Sequence, residues 1–277
     1  MAVTRALFPW FGGKAVLATR IVELLPLHDA YVEPFGGAAN VLLTKRPSRL
    51  DVYNDVDEGL VGFFRVLRER ADELAAALAL TPYSRREFEV CRATWRSTDD
   101  ELERARRWFV WTWQRFAGGQ ERSSWAADVL GRRNGSRSAT FARRVDELVE
   151  WARRFRHVQV ESNDWRVVLE RYDAPNACFY LDPPYLPETR SSGGYAHELT
   201  REDHEELIGR VLELQAGVVL SGYDSRLYRG LEPAGFERFE FPCWTASGTG
   251  RNQSRSARLE VVWRRGDVAQ QRLEVAC

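Results

Sequence analysis

The sequence predicts an α/β fold whose sheet is interrupted by an inserted, mostly helical lobe. Short apolar runs typical of buried strands alternate with stretches of helical spacing at both ends of the chain. The segment 81–155 between them has a mostly helical pattern. Four strand-like runs end in glycine or polar residues, as strands do where a ligand crevice crosses the edge of an open sheet. We therefore expect an α/β domain formed by residues 1–80 and 156–277, and a lobe formed by residues 81–155.

The elements of the first part follow from apolar spacing and turn residues. Residues 31–41 predict a strand, a glycine turn and the start of a helix, and Leu50–Tyr53 predicts a short strand that ends at Asn54-Asp55. Apolar residues then recur at helical spacing from Leu60 to Leu80. We predict a single helix there, ended by Pro82.

The inserted lobe divides into helical and irregular parts. Helical spacing covers Glu101–Phe116 and returns at Asp146–Phe155. Five of the ten tryptophans lie in residues 95–125, which favours a small aromatic core. Residues 117–140 are rich in Gly, Ser and Arg and predict a mobile loop or hairpin with cationic tips, suited to phosphate contact. An ordinary solvated surface loop is the alternative.

The alternation of strands and helices returns after the lobe. Thr200 is the expected N-cap of a helix, with Asp203 three residues later. The final two strands are expected to form an antiparallel pair. In chain order we predict strand His157–Glu161, helix Val167–Arg171, strand Phe179–Leu181, helix Arg201–Leu214, strand Gly217–Ser221, and strands Phe236–Phe241 and Leu259–Trp263.

Composition excludes several classes of protein. Hydrophobic residues make up 44% and charged residues 29% of the 277 residues, as in an ordinary globular protein. No apolar run approaches the roughly 20 residues of a membrane span, and no signal peptide is visible. The histidines show no zinc pattern, and we expect no metal site. The cysteines lack paired metal spacing and favour a reducing cytoplasm, bacterial or of a phage-infected host: Cys91, Cys178, Cys243 and Cys277.

The charge distribution points to a local basic surface. Forty basic and forty acidic residues give a net charge of zero. Residues 85–166, however, hold 18 Arg, no Lys and 13 acidic residues, a net charge of +5. A GC-rich genome accounts for much of the preference for Arg over Lys, though not for the clustering. The candidate DNA-binding residues in this region are Arg115, Arg122, Arg132, Arg133 and Arg137.

The motif Asp182-Pro183-Pro184-Tyr185 directly follows an apolar run and predicts a rigid loop at the end of a strand. Each proline fixes φ and lacks an N–H, so the Asp182 carboxylate and the Pro183 carbonyl can face a cleft as acceptors. Tyr185 offers a ring on which a base could stack, worth about 1–3 kcal/mol. The alternative is a Pro-Pro turn that only caps the strand.

Further segments could line the same crevice. The glycine turn of Tyr31–Asn40, with Phe35 and Gly36, lets a ligand approach the backbone. Asp55 is suited to two ribose hydroxyls, and Asp164 to an adenine amino group. In the loop before Lys14, Trp10 offers a ring face and Lys14 a cation for a carboxylate, although an N-terminal arm that plugs the sheet is the alternative. Neither a full GxGxxG nor a Walker pattern is present.

Together and in this order, these segments resemble the Dam-type, D12-class DNA adenine-N6 methyltransferases, especially phage-encoded ones. The resemblance runs over nearly the whole chain. It rests on residues Pro9 to Lys14, Val32 to Ala38, Tyr53 to Asp55, Phe63 to Leu67, Asp182 to Tyr185, Asp203-His204 and Leu220 to Tyr223. It implies a Rossmann-like methyltransferase sheet with a target-recognition lobe. It also implies S-adenosylmethionine as the cofactor, contacted at positions matching Trp10, Lys14, Asp55 and Asp182.

The resemblance further implies action on an adenine in double-stranded DNA, rotated out of the helix. It implies no protein partner; a monomer is possible, and the oligomeric state stays open. Asp182 and the Pro183 carbonyl would accept the two N6 hydrogens, with Pro184 keeping the loop rigid and Tyr185 stacking on the base. Methylation of RNA or of cytosine N4 remains an alternative, as does an inactive DNA-binding relative. The target sequence and any accompanying restriction enzyme stay open.

Overall fold

The structure is a computed structural model that describes residues 6–116, 124–128, 136–189, 197–247 and 254–267. Three of the arginines predicted to bind DNA lie outside these residues: Arg122, Arg132 and Arg133. None of the helices in the described ranges is long and apolar enough to cross a bilayer.

A seven-stranded sheet of order β3-β2-β1-β4-β5-β7-β6 confirms the predicted α/β class. The first five strands are parallel, so their carboxyl ends share one edge. Strand β7 is antiparallel to both β5 and β6, which confirms the expected antiparallel pair. The strands are β1 Ala30–Glu33, β2 Leu50–Asn54, β3 Val158–Glu161, β4 Ala177–Leu181, β5 Gly217–Tyr223, β6 Glu237–Ser247 and β7 Ser254–Arg265.

The helices mostly follow the apolar spacing of the sequence. Thr200 caps α10 in a capping box with Asp203, as its position predicts. The helices are α1 Ala18–Glu23, α2 Asn40–Thr44, α3 Glu58–Glu69, α4 Ala71–Ala79, α5 Arg85–Thr94, α6 Glu101–Gln114, α7 Arg137–Asp146, α8 Leu148–Phe155, α9 Trp165–Tyr172 and α10 Arg201–Glu213.

Two sequence predictions were wrong in their boundaries. The single helix predicted from Leu60 to Leu80 is two helices, because Arg70 leaves the helical conformation (φ −136°, ψ 42°). The irregular segment predicted for 117–140 wrongly took in the start of α7, because Arg137 begins that helix under a Ser136 cap. The rest of that prediction lies outside the described residues, apart from residues 124–128 and 136.

Two apolar cores cover the two faces of the sheet. One core packs α9 and α10 against β4 and β5. The other runs without a break from the sheet into the helices of residues 85–155. Within it the ring of Phe64 stacks on Phe155 of α8 at 4.3 Å, and Phe63 stacks on Phe109 of α6 at 5.3 Å. The inserted helices therefore share their interior with the sheet.

Candidate active site

A cavity of about 390 Å³ opens at the carboxyl edge of the parallel strands, within the range of small-molecule sites. Among the segments that line it are the five that the sequence predicts. They are the loop of Trp10–Lys14, the turn after β1 with Phe35 and Gly36, the end of β2 with Asp55, the start of α9 with Asp164, and the loop after β4 with Asp182 and Pro184. The structure thus brings the glycine turn after β1 and the proline motif after β4, both predicted from the sequence, to one cavity.

The turn after β1 needs glycine at two positions. A Cβ on Gly36 would lie 2.2 Å from the ring of Tyr53, and Gly37 has a φ of +48°. The turn is fastened to β2, because Gly36 N–H donates to Asn54 O (2.8 Å) and the Tyr53 hydroxyl donates to Gly37 O (2.8 Å). The backbone therefore forms one wall of the cavity.

Changing Gly36 to alanine should destabilise the protein by about 1–3 kcal/mol, because the added methyl group overlaps the buried Tyr53 ring. Chemical denaturation would measure the loss. The matched control is Gly62→Ala in α3, where a Cβ has open space and helix propensity favours alanine, so stability should rise by about 0.5–1 kcal/mol. Equal effects of the two changes would contradict this account of the turn.

Asp55 is held rigidly at the cavity wall. Its Oδ2 accepts from Gly37 N–H (2.8 Å) and its Oδ1 from Asp57 N–H (2.9 Å). A carboxylate has about four acceptor positions, so capacity remains for a ligand. Burial raises the pKa of the Asp55 carboxyl to about 6, against the opposing effect of the two N–H donors and of His197. His197 lines the same cavity and was not singled out from the sequence.

Asp164 also lines the cavity, next to Trp165 and Arg166, which the sequence did not lead us to expect there. Asp164 caps α9 through Arg166 N–H (2.9 Å), and the Arg166 guanidinium lies 3.2 Å from its carboxylate. Arg166 also donates to Asp203 of α10 (2.6 Å). Trp165 packs its ring 6.2 Å from that of Phe35, forming an apolar side. Trp165 and Arg166 directly follow the predicted Asp164 in the chain. Their position next to it was the feature of the sequence that could have indicated a place at the site.

Trp10 lies next to the glycine turn and packs against the inserted helices. Its ring is 6.0 Å from that of Trp108 in α6, and the guanidinium of Arg115 lies 5.5 Å from it. Arg115 was predicted to bind DNA, yet it is only 5% exposed and packs between Trp10 and Trp111. Burial lowers the pKa of Arg115 to about 10. Its guanidinium is thus placed beneath the cavity wall and not at the surface.

Lys14 is paired with the proline motif. Its Nζ donates to both oxygens of Asp182 (2.7 and 2.9 Å) and to Gly12 O (2.8 Å). The same ammonium lies 4.8 Å from the centre of the Tyr185 ring. The sequence predicts that Lys14 pairs with a carboxylate, and in the structure that carboxylate is Asp182.

The proline motif itself turns one side to the cavity and the other to the interior. Asp182 and Pro184 line the cavity, while Pro183 is buried and Tyr185 is only 5% exposed. The Tyr185 hydroxyl donates to Glu260 of β7 and lies 3.2 Å from Asp182 Oδ1. Burial raises the pKa of Asp182 above its usual range, and Lys14 opposes that shift. Glu260 had not been expected at the site.

Glu33 closes the floor of the cavity at the end of β1. Its Oε1 accepts from the Tyr31 hydroxyl (2.6 Å) and from Leu42 N–H (2.8 Å). Burial raises the pKa of Glu33 to about 8. This side chain therefore anchors the turn between β1 and α2 and adds little negative charge at neutral pH.

Of the arginines predicted to bind DNA, Arg137 is described at the start of α7. Its N–H donates to Asp128 Oδ2 (2.6 Å) and its guanidinium lies 3.9 Å from the same carboxylate, with 30% of the side chain exposed. The contact fixes the start of α7 and leaves part of the cation in solvent.

Comparison with known proteins identifies the family. The profile of the D12 class N6 adenine-specific DNA methyltransferases matches residues 10–229. The DNA adenine methylases of Escherichia coli strain K12 and Salmonella typhi are each 35% identical over 77 residues, 28% of this chain and 27% of the relative. The aligned part thus spans about a quarter of those relatives.

A longer alignment comes from Serratia marcescens. Its DNA adenine methylase is 24% identical over 250 residues, covering 83% of this chain and 87% of the relative. The family profile matches well over half of the chain and includes both the glycine turn and the proline motif. The chain therefore belongs to the D12 class of N6 adenine-specific DNA methyltransferases.

Proposed function

We propose that this protein transfers a methyl group from S-adenosylmethionine to N6 of an adenine rotated out of double-stranded DNA. One observation carries the proposal: Asp182 and Asp55 line a single cavity, at the ends of two different parallel strands. Asp182 offers acceptors for an amine, and Asp55 offers a carboxylate for a sugar.

The residues present fit the cofactor. Asp55 keeps acceptor capacity for ribose hydroxyls, and the glycine turn brings backbone without side chains at Gly36 and Gly37 to the cavity wall. Phe35 and Trp10 offer ring faces, and Asp164 an acceptor at the far wall. S-adenosylmethionine, when bound, supplies an electrophilic methyl group on a sulfonium, which aromatic rings also favour.

The proline motif would act on the amine by position and charge. Adenine N6 is a weak nucleophile because its lone pair is delocalised into the ring. Asp182 and the Pro183 carbonyl, accepting its two hydrogens, would draw the nitrogen toward a tetrahedral shape and make the lone pair available. Lys14 now lies on both the Asp182 carboxylate and the Tyr185 ring. An incoming base would therefore have to displace Lys14 before Tyr185 could stack on it.

DNA contact is proposed for the lobe of residues 81–155, with residues 1–80 and 156–277 as the catalytic domain. Arg122, Arg132, Arg133 and Arg137 are the candidate phosphate contacts. Arg115 would act indirectly, by supporting Trp10. We propose that the protein works as a monomer in the cytoplasm of a bacterial or phage-infected cell.

The affinity for S-adenosylmethionine should depend on pH through Asp55. The carboxylate form accepts hydroxyl hydrogens, and the pKa of this carboxyl is about 6. Affinity should thus be highest above that pH and should fall as the pH drops through it, by up to about tenfold per pH unit. Calorimetry between about pH 5 and pH 8 measures this, and Asp55→Asn should remove the dependence. A flat profile in the unchanged protein would disprove the role of Asp55.

The direct test of the function is identification of the methylated base. The protein would be incubated with labelled S-adenosylmethionine and, separately, with double-stranded DNA, single-stranded DNA and RNA, followed by digestion to nucleosides and mass spectrometry. N6-methyldeoxyadenosine from the duplex supports the proposal. Label on cytosine would indicate a cytosine N4 methyltransferase, and label only in RNA would indicate an RNA methyltransferase. Binding of DNA without any methyl transfer would indicate an inactive relative.

A further inference from the structure

Glu260 is a buried acid that the proposed mechanism does not yet use. It lies in the middle of β7, paired in register with Tyr223 of β5 and Phe241 of β6, and it is 5% exposed. Val261 next to it is fully buried. A carboxylate in an apolar strand is costly unless it has charged or hydrogen-bonding partners, so its contacts indicate its purpose.

Glu260 contacts two residues of the candidate active site, Tyr185 and Lys14. The Tyr185 hydroxyl donates to Glu260 Oε1, and Lys14 Nζ lies 3.6 Å from the same oxygen. Lys14 is thus placed between two carboxylates, close to Asp182 and slightly farther from Glu260. Burial raises the pKa of Glu260 above its usual range, with Asp182 adding to the shift and Lys14 opposing it.

This arrangement affects what Asp182 can do. Lys14 Nζ donates to both Asp182 oxygens and lies over the Tyr185 ring, so it occupies part of the acceptor capacity and the ring face that the amine and its base would use. A second carboxylate within 3.6 Å gives the ammonium a place to stay when it leaves Asp182. The Tyr185 hydroxyl, held by Glu260, keeps the ring in its place while Lys14 moves.

We propose that Glu260 is a positioning residue that draws Lys14 away from Asp182 when the substrate amine arrives, and that fixes the Tyr185 ring. The inference rests on the proposed methyl transfer. It makes β7, which lies in the antiparallel part of the sheet, a further element of the site. Glu260 acts through Lys14 and Tyr185 and does not itself touch the substrate.

The test uses the full chain with Glu260→Gln, which keeps the size and the acceptor for Tyr185 but removes the charge. We expect kcat to fall by about tenfold or more, with KM for DNA and for S-adenosylmethionine changed less than about twofold. The matched control is Glu237→Gln on neighbouring β6, where the side chain is 63% exposed and pairs with Arg264 outside the cavity. Its kcat should equal that of the unchanged protein.

The pH profile separates positioning from a structural role. Removing the charge of Glu260 leaves Lys14 wholly to Asp182 and takes away a like charge, so the pKa of Asp182 should fall. The acid limb of kcat should then move to lower pH in Glu260→Gln, while a purely structural defect would leave it in place. The charged and titratable groups facing this pair are Lys14 from the N-terminal loop, Tyr185 from the proline motif, Tyr180 of β4, Tyr228 and Glu33.

A Lys14→Met background tests whether Glu260 acts through Lys14. Glu260→Gln should lower kcat little further in that background, and the double variant keeps the net charge of the site unchanged, because it removes one cation and one anion. A full additional loss there, or an unchanged kcat and acid limb in Glu260→Gln alone, would overturn the role of Glu260. Absence of methyl transfer by the unchanged protein would overturn the proposed function itself, so the two failures are distinct.

Discussion

Replacing Asp182 by alanine is expected to lower the rate of methyl transfer to DNA by at least about 10²-fold. Asp182 is the charged acceptor of the proline motif on the cavity wall, and its oxygens already bind an ammonium in this structure. Without them, the amine would be neither oriented nor polarised. The affinity for S-adenosylmethionine should change far less, because Asp55 and the glycine turn stay intact.

Single-turnover transfer of labelled methyl groups would measure this effect. Asp224→Ala is a suitable control, because Asp224 also directly follows a strand but pairs with Arg229 and Arg238 outside the cavity. Its rate should match that of the unchanged protein. Transfer by Asp182→Ala at a near-normal rate would remove Asp182 from the mechanism.

Replacing Asp55 by alanine should weaken S-adenosylmethionine binding by about 10²-fold, or about 3 kcal/mol. The change removes a charged acceptor for two hydroxyls and also leaves the N–H groups of Gly37 and Asp57 without their acceptor. The wall on which the ligand lies would therefore loosen as well.

Calorimetry on Asp55→Ala gives the affinity, with Asp164→Ala as the comparison. Asp164 is 51% exposed and shares its oxygens with Arg166, so its loss should weaken binding by no more than about tenfold. If Asp164→Ala proves the more damaging of the two, the cofactor occupies the cavity differently from our proposal.

The parts of the site that lie at ends of parallel strands could be predicted from the sequence. Asp55 and Asp182 each follow an apolar run directly, and parallel strands bring such ends to one edge. Glu260 gave no such signal, because it is a single acid inside the apolar run Leu259–Trp263, which reaches the site from the antiparallel end of the sheet. Its role depends on register, which a sequence of this kind does not reveal.

The wrong expectations have equally specific causes. The break between α3 and α4 falls at Arg70, with neither glycine nor proline to mark it, and a side-chain contact with Glu73 follows it (3.0 Å). Arginine is rarely buried, so composition places Arg115 at the surface, whereas the aromatic rings of Trp10 and Trp111 enclose it. For Arg115, tertiary contacts override the local pattern.

The unbroken core between the sheet and the inserted helices has a mechanical consequence. Phe64, Phe155 and Trp108 belong to one packed interior, and Trp10 carries that packing to the rim of the cavity. The inserted helices cannot rotate relative to the sheet without exposing the buried apolar side chains of this shared core. If DNA binds as proposed, the described helices would keep their orientation on the sheet, and adjustment within the described part of the chain would fall to single side chains and to bending of the DNA.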